Sequence, residues 1–162
     1  MKILISLLLG SALLLLLPSV QAITLHEEET LDYLKKALGQ IDVNRISLVS
    51  GEMQLDGKAA SSFWPRYQKY LHRQIALRDR QLVTLKNYSE HFIHQTLDDV
   101  AAAGLLRESM VQERERQANR QRFIVGIKDI LNPRQQLRLY QLELLIDAEL
   151  RTALLTQVPL AN

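Results

Sequence analysis

The chain has 162 residues, and its 20 Lys and Arg nearly balance its 18 Asp and Glu, for a formal net charge of +2. This balance argues against nucleic acid as the main partner, because nucleic-acid-binding domains carry a marked excess of positive charge. With no cysteine, the chain has no disulfide, no thiolate metal site and no thiol for lipid attachment. Only six glycines and four prolines, and no stretch of alternating hydropathy, predict an all-helical protein.

The N-terminal segment, residues 1–22, has the pattern of a secretory signal. Lys2 precedes a mainly apolar run without charged residues over residues 3–17, which is shorter than the about 20 residues of a typical membrane-spanning helix. The small side chain of Ala22 fits the site of a signal peptidase. We therefore predict cleavage after Ala22, a single helical domain over residues 23–162 and a periplasmic location. An uncleaved membrane anchor and secretion beyond the periplasm are the alternatives.

Two short helices are predicted at the start of this domain. The first covers residues 24–38, with acidic side chains in its first turn, where the helix dipole favours negative charge. Gly39 is predicted to end it, because glycine is common directly after a helix. The second covers residues 42–50 and is followed by Gly51.

A long helix is predicted to follow, capped by Asp56 and running to about His94. Apolar side chains recur along it at steps of three, four and seven residues, which is typical of one buried helix face. Pro65 lies inside this segment, where it removes a backbone hydrogen bond and clashes with the preceding turn. We therefore expect a kink or a restart near Ser61 or Ser62.

Two further helices complete the predicted fold. Thr96 is predicted to cap a long helix to Leu131, and two long helices joined by a short turn must run antiparallel as a hairpin. Asn132 and Pro133 start the last helix, over residues 133–155, as cap and first helical residue. Apolar side chains cover more than one face of this C-terminal helix. It is therefore either a core helix covered by the short N-terminal helices or the seam of a dimer.

Polar residues interrupt the apolar face in the middle of the predicted hairpin. Helical phase places Arg78 on the apolar side of the first long helix. Glu108 and Glu115 lie on the facing side of the next helix, each about one turn from the position opposite Arg78. Because a buried arginine requires a partner, the sequence predicts an inter-helix polar layer that joins Arg78 to Glu108 or Glu115.

A basic ridge is predicted on the opposite face of the first long helix, formed by Arg66, Lys69, Arg73 and Arg80. One interpretation is an ordinary solvated helix face. The other is a surface that attracts acidic or unfolded polypeptides, or anionic lipid head groups, with a strong dependence on salt.

Two histidines, His91 and His94, are spaced three residues apart near a helix end. They are weak candidates for a metal site, because a firm site needs three or four ligands and an exposed polar terminus explains them equally well. No nucleophile elbow, phosphate-binding glycine loop or tuned pair of carboxylates is present in the sequence. We therefore predict a protein that is not an enzyme and that needs no cofactor.

The stretch Leu131-Asn132-Pro133-Arg134-Gln135 resembles the LTxxQ motif of the Spy/CpxP family of periplasmic stress proteins, with Asn132 in place of threonine. Asparagine and threonine both cap a following helix, so Leu131, Asn132, Pro133 and Gln135 are structural positions. A weaker second copy begins at Leu55. The resemblance implies an all-helical curved hairpin, often a homodimeric cradle, with chaperone or envelope-stress roles and some metal-responsive relatives.

These observations lead to one functional hypothesis with two rivals. The leading hypothesis is a periplasmic, non-enzymatic, ATP-independent chaperone-like protein or stress adaptor that holds polypeptide clients on the basic ridge. The first rival is a regulatory or metal-sensing module that binds the periplasmic domain of a membrane sensor. The second is a purely structural helical dimer.

Overall fold

The computed structural model of the chain describes residues 28–156 and 159–161. The predicted signal, its cleavage site and the start of the first predicted helix lie outside the described residues. Within those residues the protein is all-helical, as the sequence predicts. The helices are α1 (Glu28–Met53), α2 (Gly57–Ile93), α3 (Asp99–Gly126) and α4 (Pro133–Leu155).

Helix α1 replaces the two short helices that the sequence predicts. It continues through both Gly39 and Gly51, so the predicted helix ends at these glycines are wrong. A glycine inside a helix costs only about 1 kcal/mol relative to alanine, and tertiary packing supplies most of the stability of a helix. Buried side chains recur along one face of α1, on both sides of the glycine at position 39, and their packing keeps the segment helical. They are Leu38, Asp42, Arg45, Val49 and Met53.

Helix α2 begins at the predicted cap, where the Asp56 side chain accepts a hydrogen bond from the Ala59 backbone N–H at 2.8 Å. The expected restart near residues 61 and 62 is wrong, because α2 is continuous through Pro65. Phe63 and Tyr67, on either side of the proline, are fully buried and their rings stack with centroids 5.4 Å apart. This packing offsets the one backbone hydrogen bond that Pro65 cannot donate.

The boundaries of α3 differ from the predicted ones at both ends. Asp98, not Thr96, is the cap, and its side chain accepts from the Ala101 N–H at 2.8 Å. The helix ends at Gly126, and a turn follows in which the N–H of Leu131 donates to the carbonyl of Ile127. That turn allows Leu131 to remain buried next to the start of α4.

Helix α4 has the predicted bounds and the predicted cap. The Asn132 side chain accepts from the Gln135 N–H at 3.0 Å, and the Gln135 side chain accepts from the Asn132 N–H at 3.1 Å. This reciprocal pair is a capping box, which satisfies two backbone donors at the helix start. The stretch from Leu131 to Gln135 therefore has a local structural role. It fixes the start of α4, with Asn132 as the cap and Pro133 as the first helical residue.

The four helices pack with α3 along α2, and with α1 against α4. The contacts between α2 and α3 show that the two helices are antiparallel. Arg66 near the start of α2 reaches the carbonyl of Gly126 at the end of α3, whereas Arg80 reaches Glu108 in the first half of α3. Near the start of α2 and the end of α3, the core is filled by a cluster of aromatic side chains. The cluster consists of Phe63, Tyr67, Tyr70 and Phe123.

Candidate functional site

A buried carboxylate lies at the centre of the core. Glu143 of α4 is 0% exposed, and it accepts hydrogen bonds from the hydroxyls of Tyr67 at 2.8 Å and Tyr70 at 2.5 Å. Arg45 of α1 is 4% exposed and forms a two-pronged ion pair with the same carboxylate, with its Nε 3.3 Å from Glu143 Oε1. The three helices α1, α2 and α4 thus meet at one satisfied polar cluster, because both carboxylate oxygens and both hydroxyls are bonded.

The environment of this cluster keeps the two tyrosine hydroxyls and the Arg45 guanidinium protonated. Burial, together with the negative charge of Glu143, raises the pKa of the Tyr67 and Tyr70 hydroxyls far above 10. Burial alone would lower the pKa of Arg45, but its attraction to Glu143 more than compensates and raises that pKa. The shifts of Tyr67, Tyr70 and Arg45 all favour the protonated form, in which these groups donate to the carboxylate and join three helices.

The side chain of Arg78 is mostly, but not fully, buried, which agrees with its helical phase, but its predicted partners are wrong. Its guanidinium binds Asp42 of α1, with Nη1 2.6 Å from Oδ2, and not Glu108 or Glu115. The side chains of Arg78 and Asp42 are each only 11% exposed. The pair therefore ties α1 to α2 rather than α2 to α3.

Glu108 and Glu115 bind Arg80 instead, which the sequence places on the basic ridge. The Arg80 guanidinium is 2.5 Å from Glu115 and 3.0 Å from Glu108. Hydrogen bonds to Glu108 and Glu115 raise the pKa of Arg80. Hydrogen bonds donated by Gln112 and, to a smaller extent, by Arg80 lower the pKa of Glu108. An inter-helix polar contact is thus present between α2 and α3, but it lies at the surface and involves a different arginine.

The other end of the predicted ridge is also neutralised. Arg66 donates to both carboxylate oxygens of Asp129, at 2.8 and 2.9 Å, and to the carbonyl of Gly126 at 2.7 Å. The hydrogen bond from Arg66 lowers the pKa of Asp129. Of the four predicted ridge residues, only Lys69 and Arg73 are left without an ion pair to any described residue.

A shallow groove between α2 and α3 brings these two cations next to a third. It has a volume of about 300 Å³, and Lys69, Arg73 and Arg122 lie along it. Its floor is formed by Tyr70 and Phe123, whose rings stack with centroids 4.4 Å apart. We refer to the cleft lined by Lys69, Arg73 and Arg122 over this floor as the basic groove.

Arg122 is the member of the basic groove that sequence reasoning missed. Its helical phase suggests the inner side of α3, but the side chain is exposed and makes no ion pair within the described part of the chain. Its proximity to Lys69 and Arg73 depends on the register between α2 and α3, which no local signal in the sequence reveals. Arg45 and Glu143 were missed for the same reason.

The histidine pair shows no arrangement typical of a metal site. His91 Nδ1 lies 3.0 Å from the Thr96 hydroxyl and 3.2 Å from its carbonyl, and the His94 backbone N–H caps the end of α2. Residues 28–156 and 159–161 contain no group of three His, Asp or Glu side chains that could hold a metal ion.

A second, larger groove of about 430 Å³ lies between α2, α3 and the end of α4. Leu77, Leu85, Met110 and Leu155 contribute apolar surface to it, and Arg114 is among its charged residues. No helix in the described part of the chain is long and apolar enough to cross a lipid bilayer.

Comparison of the chain with protein-family models, curated proteins and solved structures finds no match. The similarity to the Spy/CpxP family therefore remains a prediction from the sequence motif.

Proposed function

We propose that this protein binds acidic or unfolded polypeptides in the periplasm, as a non-enzymatic, nucleotide-independent chaperone or stress adaptor. The basic groove carries this proposal, because Lys69, Arg73 and Arg122 are exposed cations that no described carboxylate neutralises. Such cations attract an acidic chain at long range, and electrostatic attraction of this kind speeds capture.

The floor of the basic groove supports a loosely held client. Tyr70 and Phe123 are only 3% and 8% exposed, so they offer a client little apolar surface. Most of the attraction must then come from charge. Binding should weaken as salt rises, because exposed charges are screened beyond about 8 Å at physiological ionic strength.

A triple charge reversal tests the role of the groove. We expect the variant Lys69→Glu, Arg73→Glu, Arg122→Glu to lose suppression of the aggregation of an unfolded acidic client, and to keep its circular dichroism spectrum. All three side chains are exposed, so the reversal leaves the core intact.

The matched control makes the same change in net charge outside the groove, with Lys58→Glu, Arg107→Glu and Arg134→Glu, all exposed. The proposal requires the control to keep its activity. If activity survives the charge reversal in the groove, clients must bind at another surface. Wild-type protein that ignores unrelated unfolded clients would favour the rival function, a regulator of a periplasmic sensor domain.

The proposal includes a homodimer in which the α2–α3 hairpin forms a cradle, as the Spy/CpxP resemblance implies. Helix α4 supports it, because Leu137, Tyr140 and Leu144 lie on one helix face and are 58%, 37% and 39% exposed. Sedimentation should show a dimer that Leu137→Lys combined with Leu144→Lys converts to a monomer. Val125→Lys, at a site on α3 that is 64% exposed, is the control.

The periplasmic location rests on the predicted signal. Mass spectrometry of the exported protein should give a chain that begins at Ile23. A product that retains residues 13–17 would contradict a soluble periplasmic protein.

A further inference from the structure

The basic groove continues along α2 and α3 into a second cleft. This cleft has a volume of about 440 Å³ and shares Arg73, Asn119 and Arg122 with the basic groove. Arg80 and Glu115 also line it, and each lies seven residues from the shared arginine of its own helix. Because α2 and α3 are antiparallel, Arg80 and Glu115 lie at the same end of the cleft. We refer to the basic groove and this second cleft together as the extended groove.

The two ends of the extended groove carry charges of opposite sign. At one end, the three cations of the basic groove make no ion pair with a described residue. At the other end, the single guanidinium of Arg80 is shared by Glu108 and Glu115 at 3.0 and 2.5 Å, so these three residues keep a net charge of −1. Their side chains are 45 to 47% exposed, which leaves that charge accessible to a ligand. Between the two ends, Ala76 and Leu77 contribute apolar surface.

The spacing of these three zones along α2 matches one side of an extended peptide. With a rise of about 1.5 Å per helical residue, Ala76 lies about 7 Å and Arg80 about 14 Å beyond the midpoint between Lys69 and Arg73. An extended chain covers about 7 Å in two residues and about 14 Å in four, and its alternate side chains point to the same side. The first, third and fifth side chains of an extended segment therefore reach the three zones together.

We propose, on the basis of the proposed function, that the extended groove selects client segments with an acidic, an apolar and a basic side chain at every second position. The acidic side chain lies against the cations of the basic groove, the apolar one covers Ala76 and Leu77, and the basic one binds Glu115. A uniformly acidic segment fits less well, because its fifth side chain meets the negative end and like charges repel. The groove fixes the place of each side chain and not the direction of the client backbone, so both orders along the client are allowed.

Fluorescence anisotropy of labelled nine-residue peptides at low salt tests this selection on the wild-type protein. One peptide carries Glu, Leu and Lys at its third, fifth and seventh positions among Ser and Thr, and a second peptide reverses their order. The first reference peptide has the same three residues in adjacent positions, and the second has Glu in place of Lys. We expect at least one spaced peptide to bind about five times more tightly than either reference, which is the gain from one well-placed exposed ion pair.

A variant that neutralises the negative end tests the assignment of the basic side chain. Glu108→Gln combined with Glu115→Gln should bind the acidic reference at least as tightly as the spaced peptides. Glu52→Gln combined with Glu149→Gln makes the same change in net charge at exposed sites outside the extended groove, and should keep the wild-type preference.

The outcomes separate this selection from the proposed function. If the wild-type protein binds either reference as tightly as the spaced peptides, the selection is wrong, whereas binding of acidic segments in the basic groove still stands. If the control variant loses the preference as the groove variant does, the basic side chain does not bind at Glu115. If the wild-type protein binds none of the peptides, the proposed function fails as well.

Discussion

The polar cluster around Glu143 makes a quantitative prediction about stability. In Glu143→Leu, Arg45 stays buried at 4% exposure, and its remaining counter-charge is Asp42, 3.9 Å away and not hydrogen-bonded to it. In Arg45→Met, the carboxylate of Glu143 stays fully buried with only the two tyrosine hydroxyls as partners. Removing one partner of a buried ion pair costs about 3 to 5 kcal/mol, so each single variant should lose about that much.

The double variant Arg45→Met, Glu143→Leu should lose much less than the sum of the two. Replacing both members of a buried ion pair by apolar side chains is often neutral. The remaining cost comes from the Tyr67 and Tyr70 hydroxyls, which lose their acceptor in Glu143→Leu and in the double variant alike, at about 1 to 3 kcal/mol each. The coupling between positions 45 and 143 should therefore be several kcal/mol.

Urea unfolding followed by circular dichroism measures these differences. With a slope of about 2 kcal/mol per molar, a loss of 4 kcal/mol lowers the midpoint by roughly 2 M. The exposed pair of Arg66 and Asp129 is the control, and Arg66→Met should hardly move the midpoint, because exposed ion pairs contribute little. Additive effects at positions 45 and 143 would refute the reasoning, because they would mean that neither charge depends on the other.

Three further predictions follow from the contacts. Arg78→Met should destabilise the protein by about 3 kcal/mol, and Arg73→Met should leave the urea midpoint almost unchanged. Burial raises the pKa of Tyr67 and Tyr70 above their unfolded value of 10.0, so folding stability should be intact below pH 10 and should fall as the pH rises above it. Tyrosinate absorbance should then rise together with the loss of helicity. Ionisation of all tyrosines before unfolding would contradict this prediction. Asn132→Ala should lower the free energy of unfolding by about 1 kcal/mol, and an unchanged melting temperature would argue against the capping box.

The basic groove illustrates how much of a site can be predicted from a sequence. The spacing of Lys69 and Arg73 predicts that they share an exposed face of one helix, and they do. The same spacing cannot predict which carboxylates reach Arg66 and Arg80 from α3 and the turn after it. It also cannot place Arg122 beside the two free cations.

The sequence by itself determined the helical class and the starts of α2 and α4, because these depend on contacts between residues close in the chain. Asp56 and Asn132 each bond a backbone N–H three residues ahead, so the cap and its target are in the same short segment. The tertiary structure alone decided the partners of Arg78 and Arg80. Two residues correspond to about 200° around a helix, so Arg78 faces α1 and Arg80 faces α3. Which helix lies on each side depends on how the four helices pack, and the periodicity of one helix carries no information about its neighbours.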